Sequence, residues 1–382
     1  MSALLSSTGR TDAPVVIVGG GQSGLATGFY LRRAGLVPGE DFVILDADKA
    51  PGGSWRHMWA GLRLFSPATY SSLPGWMMPA WDDARLGYPP RSHVVDYLTA
   101  YEDRYDLAVR HGVRVTAVAR TGRDAEAFIV ETTARTMHAD AVVSATGTWS
   151  RPFWPVYPGA AEFAGRQLHA AAYRSPADFA GQRVVIVGGG NSAAQILAEM
   201  SADSTVADTV WVTARPPRFL PDDIDGRDLF AAATQRVQAL RDGRPHDGVG
   251  GLGDIVMVPS VREARDRGVL KAQPMFTRFT RTGVAWADGS KAEADAVIWC
   301  TGFRPALRHL AGLRLRNTHR HIATVPRDGA AAGTEAVDAP GLFLVGYGDW
   351  TGPASATLIG VGRTARDTAA DILTRLKQGS AS

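Results

Sequence analysis

The heptapeptide Val-Val-Ile-Val-Gly-Gly-Gly occurs twice in this chain, at 15–21 and at 184–190, letter for letter. Four β-branched residues running into a glycine turn form a buried strand that stops abruptly. A helical pattern follows each copy: Leu25–Ala34, closed by Gly35, and Ala194–Met200. In the first copy Gly19, Gly21 and Gly24 occupy the positions of G-x-G-x-x-G, with Gln22 and Ser23 before the last glycine. The second copy gives G-x-G-x-x-A at Gly188, Gly190 and Ala193, with Asn191 and Ser192 before the alanine. In such a turn the first glycine bends the chain and the second admits a pyrophosphate to the backbone. The third small residue lets helix and strand pack closely, and the unpaired N–H groups of the helix start face the phosphate charge. One such motif is weak evidence, because glycine turns join strands to helices for purely structural reasons. The context strengthens the first copy: the strand Phe42–Leu45 ends in Asp46, about twenty residues on, where an acid holds a ribose hydroxyl. Two copies predict two dinucleotide sites in one chain. A duplicated strand–turn–helix without ligands is the structural alternative.

Between the copies the chain reads in three parts. Pro51–Trp81 is irregular and crowded with aromatics, including Trp55, Trp59, Phe65, Tyr70, Trp76 and Trp81. His93–Tyr105 has the spacing of an amphipathic helix. Val113–Ala119 and Phe128–Thr132 alternate as strands of a small antiparallel layer that leads to the buried strand Ala141–Ser144. That strand ends in Ala145-Thr146-Gly147, and the proline-rich stretch Arg151–Pro158 is a natural boundary. After the second copy come a strand at Thr209–Thr213 and the long stretch Arg215–Gly268, which is poor in strand signals. It holds a predicted helix at Asp228–Arg241, a glycine-rich loop at Gly248–Gly253 and a charged helix at Val261–Arg267; an insertion of this length suits a lid or a subunit contact. The strands Gly283–Trp286 and Ala296–Trp299 follow, the latter ending in Cys300-Thr301-Gly302, an echo of the first Thr-Gly strand end. Leu342–Val345 is a last strand, and Ala354–Gly362 with Thr364–Leu376 forms a closing helical part.

Composition narrows the function. With 382 residues the chain has room for more than one core. A net charge of +3 is too small to suggest nucleic acid as a partner. No stretch approaches the ~20 apolar residues that cross a bilayer, and the polar opening 1–14 reads as a disordered lead-in and not as a secretory signal. Cys300 is the sole cysteine, so neither an intrachain disulfide nor a redox dithiol exists, and a cytoplasmic location is expected. Cys300 itself reads as a packed thiol. His319-Arg320-His321 and the acidic run Asp222, Asp223, Asp225 lack the further ligands of a zinc or calcium site, so no metal is expected.

Ahead of the second copy, Phe163, Gly165, His169 and Tyr173 spell F-x-G-x-x-x-H-x-x-x-Y. This resembles the identifying motif of the flavin-containing monooxygenases. Gly52-Gly53-Ser54-Trp55, the two Thr-Gly strand ends and Gly348-Asp349 follow the same family's order. Over Arg218–Gly226, Gly250–Pro259 and Gly348–Arg363 the chain is similar to the flavin monooxygenases associated with bacterial arsenic-resistance operons. The resemblance implies an α/β protein of two Rossmann-like dinucleotide-binding domains with three-layer, doubly wound sheets. An FAD domain, 15–158 with 296–382, would be split by an NADPH domain, 159–295, that carries the 215–268 insertion.

The resemblance also assigns roles. FAD would lie on Gly19, Gly21, Gln22, Ser23 and Gly24, with a ribose on Asp46, Asp349 near the ribityl chain, and Gly53, Ser54 and Trp55 near the isoalloxazine. Thr146, Thr301 and Gly302, at the crossings between units, would be further cofactor contacts. NADPH would dock on Gly188, Gly190, Asn191 and Ser192. The strand end Trp211–Arg215 carries no acid and one arginine, and a guanidinium suits a 2′-phosphate; NADPH is therefore favoured over NADH, with use of both an option. O2 would add at the flavin and one oxygen atom would pass to a small soft nucleophile bearing sulfur, nitrogen or arsenic. A flavin reductase without oxygenation and a flavin-binding sensor are the rival functions. Where amine-oxygenating members place an Asn, this chain has Ser66 within Leu62–Pro67, and Ser66 is the catalytic candidate. His169 and Tyr173 are read as structural. A homodimer is compatible with the sequence.

Overall fold

The computed structural model describes residues 12–81, 88–120, 127–231, 235, 254–318, 321–327 and 333–379. The expected lead-in up to residue 11, the glycine-rich loop, most of the helix predicted at Asp228–Arg241, and His319 with Arg320 lie outside the described residues. In chain order the strands are β1 (Val15–Val18), β2 (Phe42–Leu45), β3 (Val109–Arg110), β4 (Val115–Arg120), β5 (Phe128–Thr132), β6 (Thr136–Ala139), β7 (Ala141–Ser144), β8 (Arg166–His169) and β9 (Arg183–Val187). There follow β10 (Asp208–Thr213), β11 (Gln273–Pro274), β12 (Arg278–Thr280), β13 (Gly283–Ala285), β14 (Lys291–Glu293), β15 (Ala296–Trp299), β16 (Asn317–Thr318), β17 (His321–Ile322) and β18 (Leu342–Leu344). The helices labelled here are α1 (Gln22–Arg33), α2 (Arg91–Arg104), α3 (Asn191–Ala202), α4 (Pro259–Asp266) and α5 (Val361–Gly379), and a further helix starts at residue 226.

Two parallel sheets carry the fold. The first runs β18-β7-β1-β2-β3 and the second, in the matching direction, β8-β15-β9-β10-β11. The two orders correspond strand for strand, so the repeated heptapeptide sits at the centre of both. They differ in one edge strand: β18 comes from near the end of the chain, β8 from just before the second repeat.

The run Val-Val-Ile-Val is apolar throughout because both faces of each sheet are covered. Val15 and Ile17 face Leu25 and Phe29 of α1, Leu98 of α2 and Ile372 of α5, whereas Val16 and Val18 face Val118, Phe128 and Val130 of the antiparallel β4-β5-β6 sheet. In the second unit Val184 and Ile186 pack against Ile196 and Val261 on α3 and α4, and Val185 and Val187 against Phe279 and Val284 of β12-β13-β14. Each such side chain contributes about 1.5–3 kcal/mol on leaving water. Three layers are thus present in both units, with an antiparallel sheet as the third layer where a doubly wound fold would carry helices.

Two expectations need correction. The strand Ala296–Trp299 lies inside the second sheet, paired with both β8 and β9, so the return to the first unit comes after Trp299 and not at 296. Ala354–Gly360 forms turns and no helix, with Ala354 in the left-handed region at φ 58°; the closing helix begins at Val361. Arg166–His169 adds an edge strand beside β15, a pairing that its polar Arg-Gln start conceals.

The ends of β7 and β18 are joined by a buried polar network. Ser144 Oγ lies 2.6 Å from Tyr347 Oη and 3.1 Å from His309 Nε2, and the Tyr347 hydroxyl also meets Thr146 Oγ1 at 2.8 Å. Burial holds His309 down at about 4, so it is neutral in the fold. An unfolded chain takes up its proton near 6.5, which means this contribution to stability is complete above pH 6.5 and is lost as pH falls towards 4. We expect chemical denaturation to report a loss of up to about 3 kcal/mol between pH 7 and pH 4 from this residue, with a visibly flatter acid limb in His309→Gln.

Candidate dinucleotide sites and the cleft between them

Both fingerprint turns are built the same way, against the end of the neighbouring strand. Gly19 has φ 110°, and a Cβ there would strike the carbonyl oxygen of Ala145, just past β7. Gly188 has φ 145°, and a Cβ there would strike the carbonyl of Cys300, just past β15. A Cβ on Gly24 would overlap the Gly19 carbonyl oxygen, whereas the second copy accommodates Ala193, fully packed, at the same place. Helices α1 and α3 start with no side-chain cap and no acid in the first turn. Their leading N–H groups are therefore left for an anion.

Three further segments close in on the first turn. Gly53, at φ 51°, opens a 3-10 turn whose backbone approaches Gly21 so closely that a Cβ on Gly53 would lie 2.8 Å from Gly21 Cα. Trp55 Nε1 donates to Gln22 Oε1 at 3.2 Å, and Gln22 Nε2 donates to the Ala356 carbonyl at 2.8 Å. Ser23 packs beneath Gly346, and Asp349 Oδ1 accepts from the Ala354 N–H at 3.4 Å. Asp46 is buried and both its oxygens already accept from backbone: the Gly20 N–H and, at 2.6 Å, the Asp48 N–H. Ser54 lies in the same 3-10 turn.

The second turn opens on a cleft of ≈ 940 Å³ lined by Gly188, Gly189, Arg215, Arg218, Asp254, Trp299 and Thr301, among others. A smaller cavity of ≈ 310 Å³ beside it is lined by Gly190, Asn191, Ser192, Cys300, Gly302 and Phe303. A Cβ on Gly190 would meet nothing within 4 Å, so this turn borders open space. Arg215 is exposed with no ion-pair partner among the described residues, whereas Arg218 is paired with Asp254 at 2.8 Å. Burial pushes the Cys300 thiol up to about 12, which leaves no thiolate for chemistry.

The two Thr-Gly segments run beside each other as a double crossing. Phe153 donates to the Gly302 carbonyl at 2.9 Å, Thr301 Oγ1 to the Phe153 carbonyl at 2.5 Å, and Ala306 to the Gly147 carbonyl at 2.9 Å. Trp149 stacks on Phe303 at 5.0 Å, and Thr146 Oγ1 donates to the Ala306 carbonyl at 2.8 Å. His169 is fixed against the same crossing. Its Nδ1 accepts from the Ala171 N–H at 3.1 Å, so Nε2 carries the proton and donates to the Gly302 carbonyl at 3.0 Å. Burial lowers its pKa. Tyr173 donates to Glu199 at 3.2 Å.

Two candidates sit differently from the rest. The Asn191 amide is spent on protein: Nδ2 donates to the Asp254 carbonyl and Oδ1 accepts from the Val256 N–H, both at 2.9 Å. Ser66 is only 2% exposed, its hydroxyl meets Ser71 Oγ at 2.8 Å, and Gly226 packs on its Cβ. The geometry gives Ser66 a partner inside the protein and no open face. Sequence reasoning missed Arg218 and Asp254, whose pairing across the insertion no spacing announces. The acidic run is likewise occupied by arginines, Asp222 by Arg265 and Asp225 by Arg227, and no metal-holding cluster occurs among the described residues. Among the described residues no helix is long and apolar enough to cross a membrane.

The family model described as pyridine nucleotide-disulphide oxidoreductase matches residues 16–216. The flavin-containing monooxygenase from Stenotrophomonas maltophilia is 48% identical in sequence and superimposes with a TM-score of 0.81, over 94% of this chain and 98% of that one. This chain belongs to the flavin monooxygenase family. It is an oxidoreductase of a family that works with FAD and NADPH. An indole-3-pyruvate monooxygenase of Oryza sativa subsp. japonica is 28% identical over 94% of this chain and 90% of its own length. An uncharacterized oxidoreductase of Geobacillus kaustophilus is 28% identical over 76% of this chain and 80% of its own. The uncapped helix starts and the glycines that a Cβ would fill fit both cofactors.

Two alanine substitutions separate the sites. Gly24→Ala forces a methyl into the Gly19 carbonyl, and the protein is expected to purify without flavin absorbance. Gly190→Ala meets no protein atom but intrudes where a pyrophosphate approaches. It is expected to keep its FAD and its melting temperature while the KM for NADPH rises about tenfold, read by steady-state NADPH oxidation.

Proposed function

We propose that this enzyme uses NADPH to reduce FAD and transfers one atom of O2 to a small soft nucleophile bearing sulfur, nitrogen or arsenic. The observation that carries the reading is the solitary Cys300, partly buried and protonated, in a fold with two dinucleotide fingerprints. Without a dithiol to receive electrons, the reduced flavin has O2 as its outlet. FAD supplies the oxygen activation and atom transfer when bound; the protein supplies position, dryness and charge.

In this reading the backbone from Gly19 to Gly24 holds the FAD pyrophosphate, aided by Gln22 and Ser23. Asp46 stiffens the turn through Gly20 and offers its remaining lone pairs to a ribose, and Asp349 stands by the ribityl chain. Gly53, Ser54 and Trp55 border the ring system, with Trp55 oriented by Gln22. Gly188, Gly190 and Ser192 take the NADPH pyrophosphate, while Asn191 shapes the site by holding 254–256. Thr146, Thr301 and Gly302 keep the double crossing in register, so the nicotinamide enters between the units. Arg215, exposed at the cleft with no ion-pair partner among the described residues, receives the 2′-phosphate. Ser66 acts as a buried support of the wall, a role its bond to Ser71 favours over direct chemistry. The likeness of 218–226, 250–259 and 348–363 to arsenic-operon enzymes supports trivalent arsenicals as one substrate class. The spent Ser66 hydroxyl favours a second reading, an NADPH oxidase that releases its oxygen as peroxide.

Trivalent arsenicals, thioethers and amines should be screened for stimulation of NADPH oxidation, with oxygenated product and peroxide both quantified. Product matching the NADPH consumed supports monooxygenation; peroxide alone, with every substrate class, supports the oxidase. Arg215→Gln is expected to raise the KM for NADPH about tenfold and leave that for NADH within twofold, the loss of one charged hydrogen-bond pair.

A further inference from the structure

The described base of the 215–268 insertion is pinned at two places. Beside the second fingerprint, Asn191 clamps Asp254 and Val256, Arg218 pairs with Asp254, and Phe219 bridges to Ile255. At the other place stands Asp225, 5% exposed. Its carboxylate accepts the Tyr88 hydroxyl at 2.5 Å, the Arg227 N–H at 2.7 Å and Arg227 Nε at 3.0 Å. Its own N–H donates to Asp228 Oδ2 at 3.0 Å. These last contacts are the reciprocal capping of a helix start, here the helix that begins at residue 226.

Capping alone needs one oxygen, and Ser or Asn would serve. The second oxygen and the buried charge require another reason. Burial would raise the pKa of Asp225, yet the hydrogen bonds from Arg227 and Tyr88 outweigh it and the net shift is downward, so the group stays ionised and reaches out of its own helix to a phenol of the first unit. Tyr88 leads into the strand-like pairing of 88–91 with 62–66: Leu64 N–H to the Pro89 carbonyl at 2.9 Å, Arg91 N–H to the Leu62 carbonyl at 3.0 Å, and Arg63 Nη1 to the Tyr88 carbonyl at 3.1 Å. Next to Asp225, the Gly226 N–H donates to the Phe65 carbonyl at 2.8 Å. The 62–66 segment is also the seam between units. Leu64 is buried in the first core, Leu62 and Phe65 pack on the second, and the Arg63 N–H meets Gln195 of α3 at 3.4 Å.

We propose that Asp225 is a positioning residue: by holding Tyr88 and, through Gly226, the 62–66 segment, it fixes the two units at the separation at which nicotinamide reduces flavin. The proposal rests on the cleft reading given under Proposed function. The insertion is then a brace with one foot on the coenzyme fingerprint and the other on the seam. Misplacement of reacting groups by about 1 Å costs up to ~100-fold in rate, so a loosened brace slows electron transfer without touching either cofactor.

The test is anaerobic mixing of FAD-loaded enzyme with NADPH, following loss of the flavin absorbance at several NADPH concentrations, for wild type, Tyr88→Phe, Asp225→Ala and Asp225→Asn. Tyr88→Phe and Asp225→Ala are expected to slow the limiting reduction rate about tenfold, with the NADPH Kd and the FAD content within twofold of wild type. Asp225→Asn keeps one carbonyl oxygen for the cap but puts an amide NH2 where the oxygen accepts from Tyr88, and is expected to keep the melting temperature while reducing as slowly as Tyr88→Phe. Should Asp225→Ala fail to fold, Tyr88→Phe, which leaves the cap intact, decides. A full reduction rate in Tyr88→Phe, with or without a lower melting temperature, overturns the proposal and leaves Asp225 as a cap. A wild-type flavin that NADPH does not reduce overturns the functional reading itself and this proposal with it; wild-type reduction matched by the variants overturns only this one.

Discussion

Both fingerprint turns press on the end of a neighbouring strand, where a Cβ on Gly19 would strike the carbonyl of Ala145 and one on Gly188 the carbonyl of Cys300. Both contacts exist because glycine has no Cβ and tolerates positive φ. They bring each glycine turn down onto the strand beside it, at the point where that strand ends in Thr-Gly and the chain leaves for the other unit. Glycine turn and interdomain crossing are thus one local structure, built twice. Lifting either turn off its neighbour would move the helix start and the crossing together.

Layering around these turns follows from the same strands. A four-residue strand apolar on every position must be covered on both sides, and in each unit helices cover one face and a small antiparallel sheet the other. Polar residues then concentrate at the strand ends. Ser144, Thr146, Tyr347 and His309 saturate one another beneath the first crossing, and His169 spends both ring nitrogens on backbone beneath the second. Buried polar groups satisfied in this way rigidify a core, here beneath both interdomain crossings.

Much of this was legible in the letters. The heptapeptide announced both parallel sheets, because β-branched runs that end in glycine have few other solutions. The Thr-Gly echo marked both crossings, and the alternation in Val113–Ala119 and Phe128–Thr132 marked one third layer. What escaped was long-range pairing. Arg166–His169 carries too little apolar pattern to declare itself a strand, and its partnership with β15 moved the boundary drawn at 296. Ala354 needs φ 58°, a choice that no helical periodicity reveals. Ser66 and Asn191 were read from motif position as groups facing a cofactor, yet each finds its hydrogen-bond partners in segments far away or out of register: Ser71 for one, Asp254 and Val256 for the other. Side-chain commitments of that kind depend on what the fold brings near, and spacing along the chain carries no record of them.

The double crossing has a consequence for how such a chain is assembled. Phe153 leaves the first unit bonded to Gly302, which returns to it, so the entire second unit is an excursion whose two ends are neighbours. To the first unit this excursion is no costlier than a tight hairpin, since the loop-closure entropy of the long detour is absorbed by the second unit's own folding. What still binds guest to host is the 62–66 seam, whose side chains enter both cores, so neither core is complete without the other.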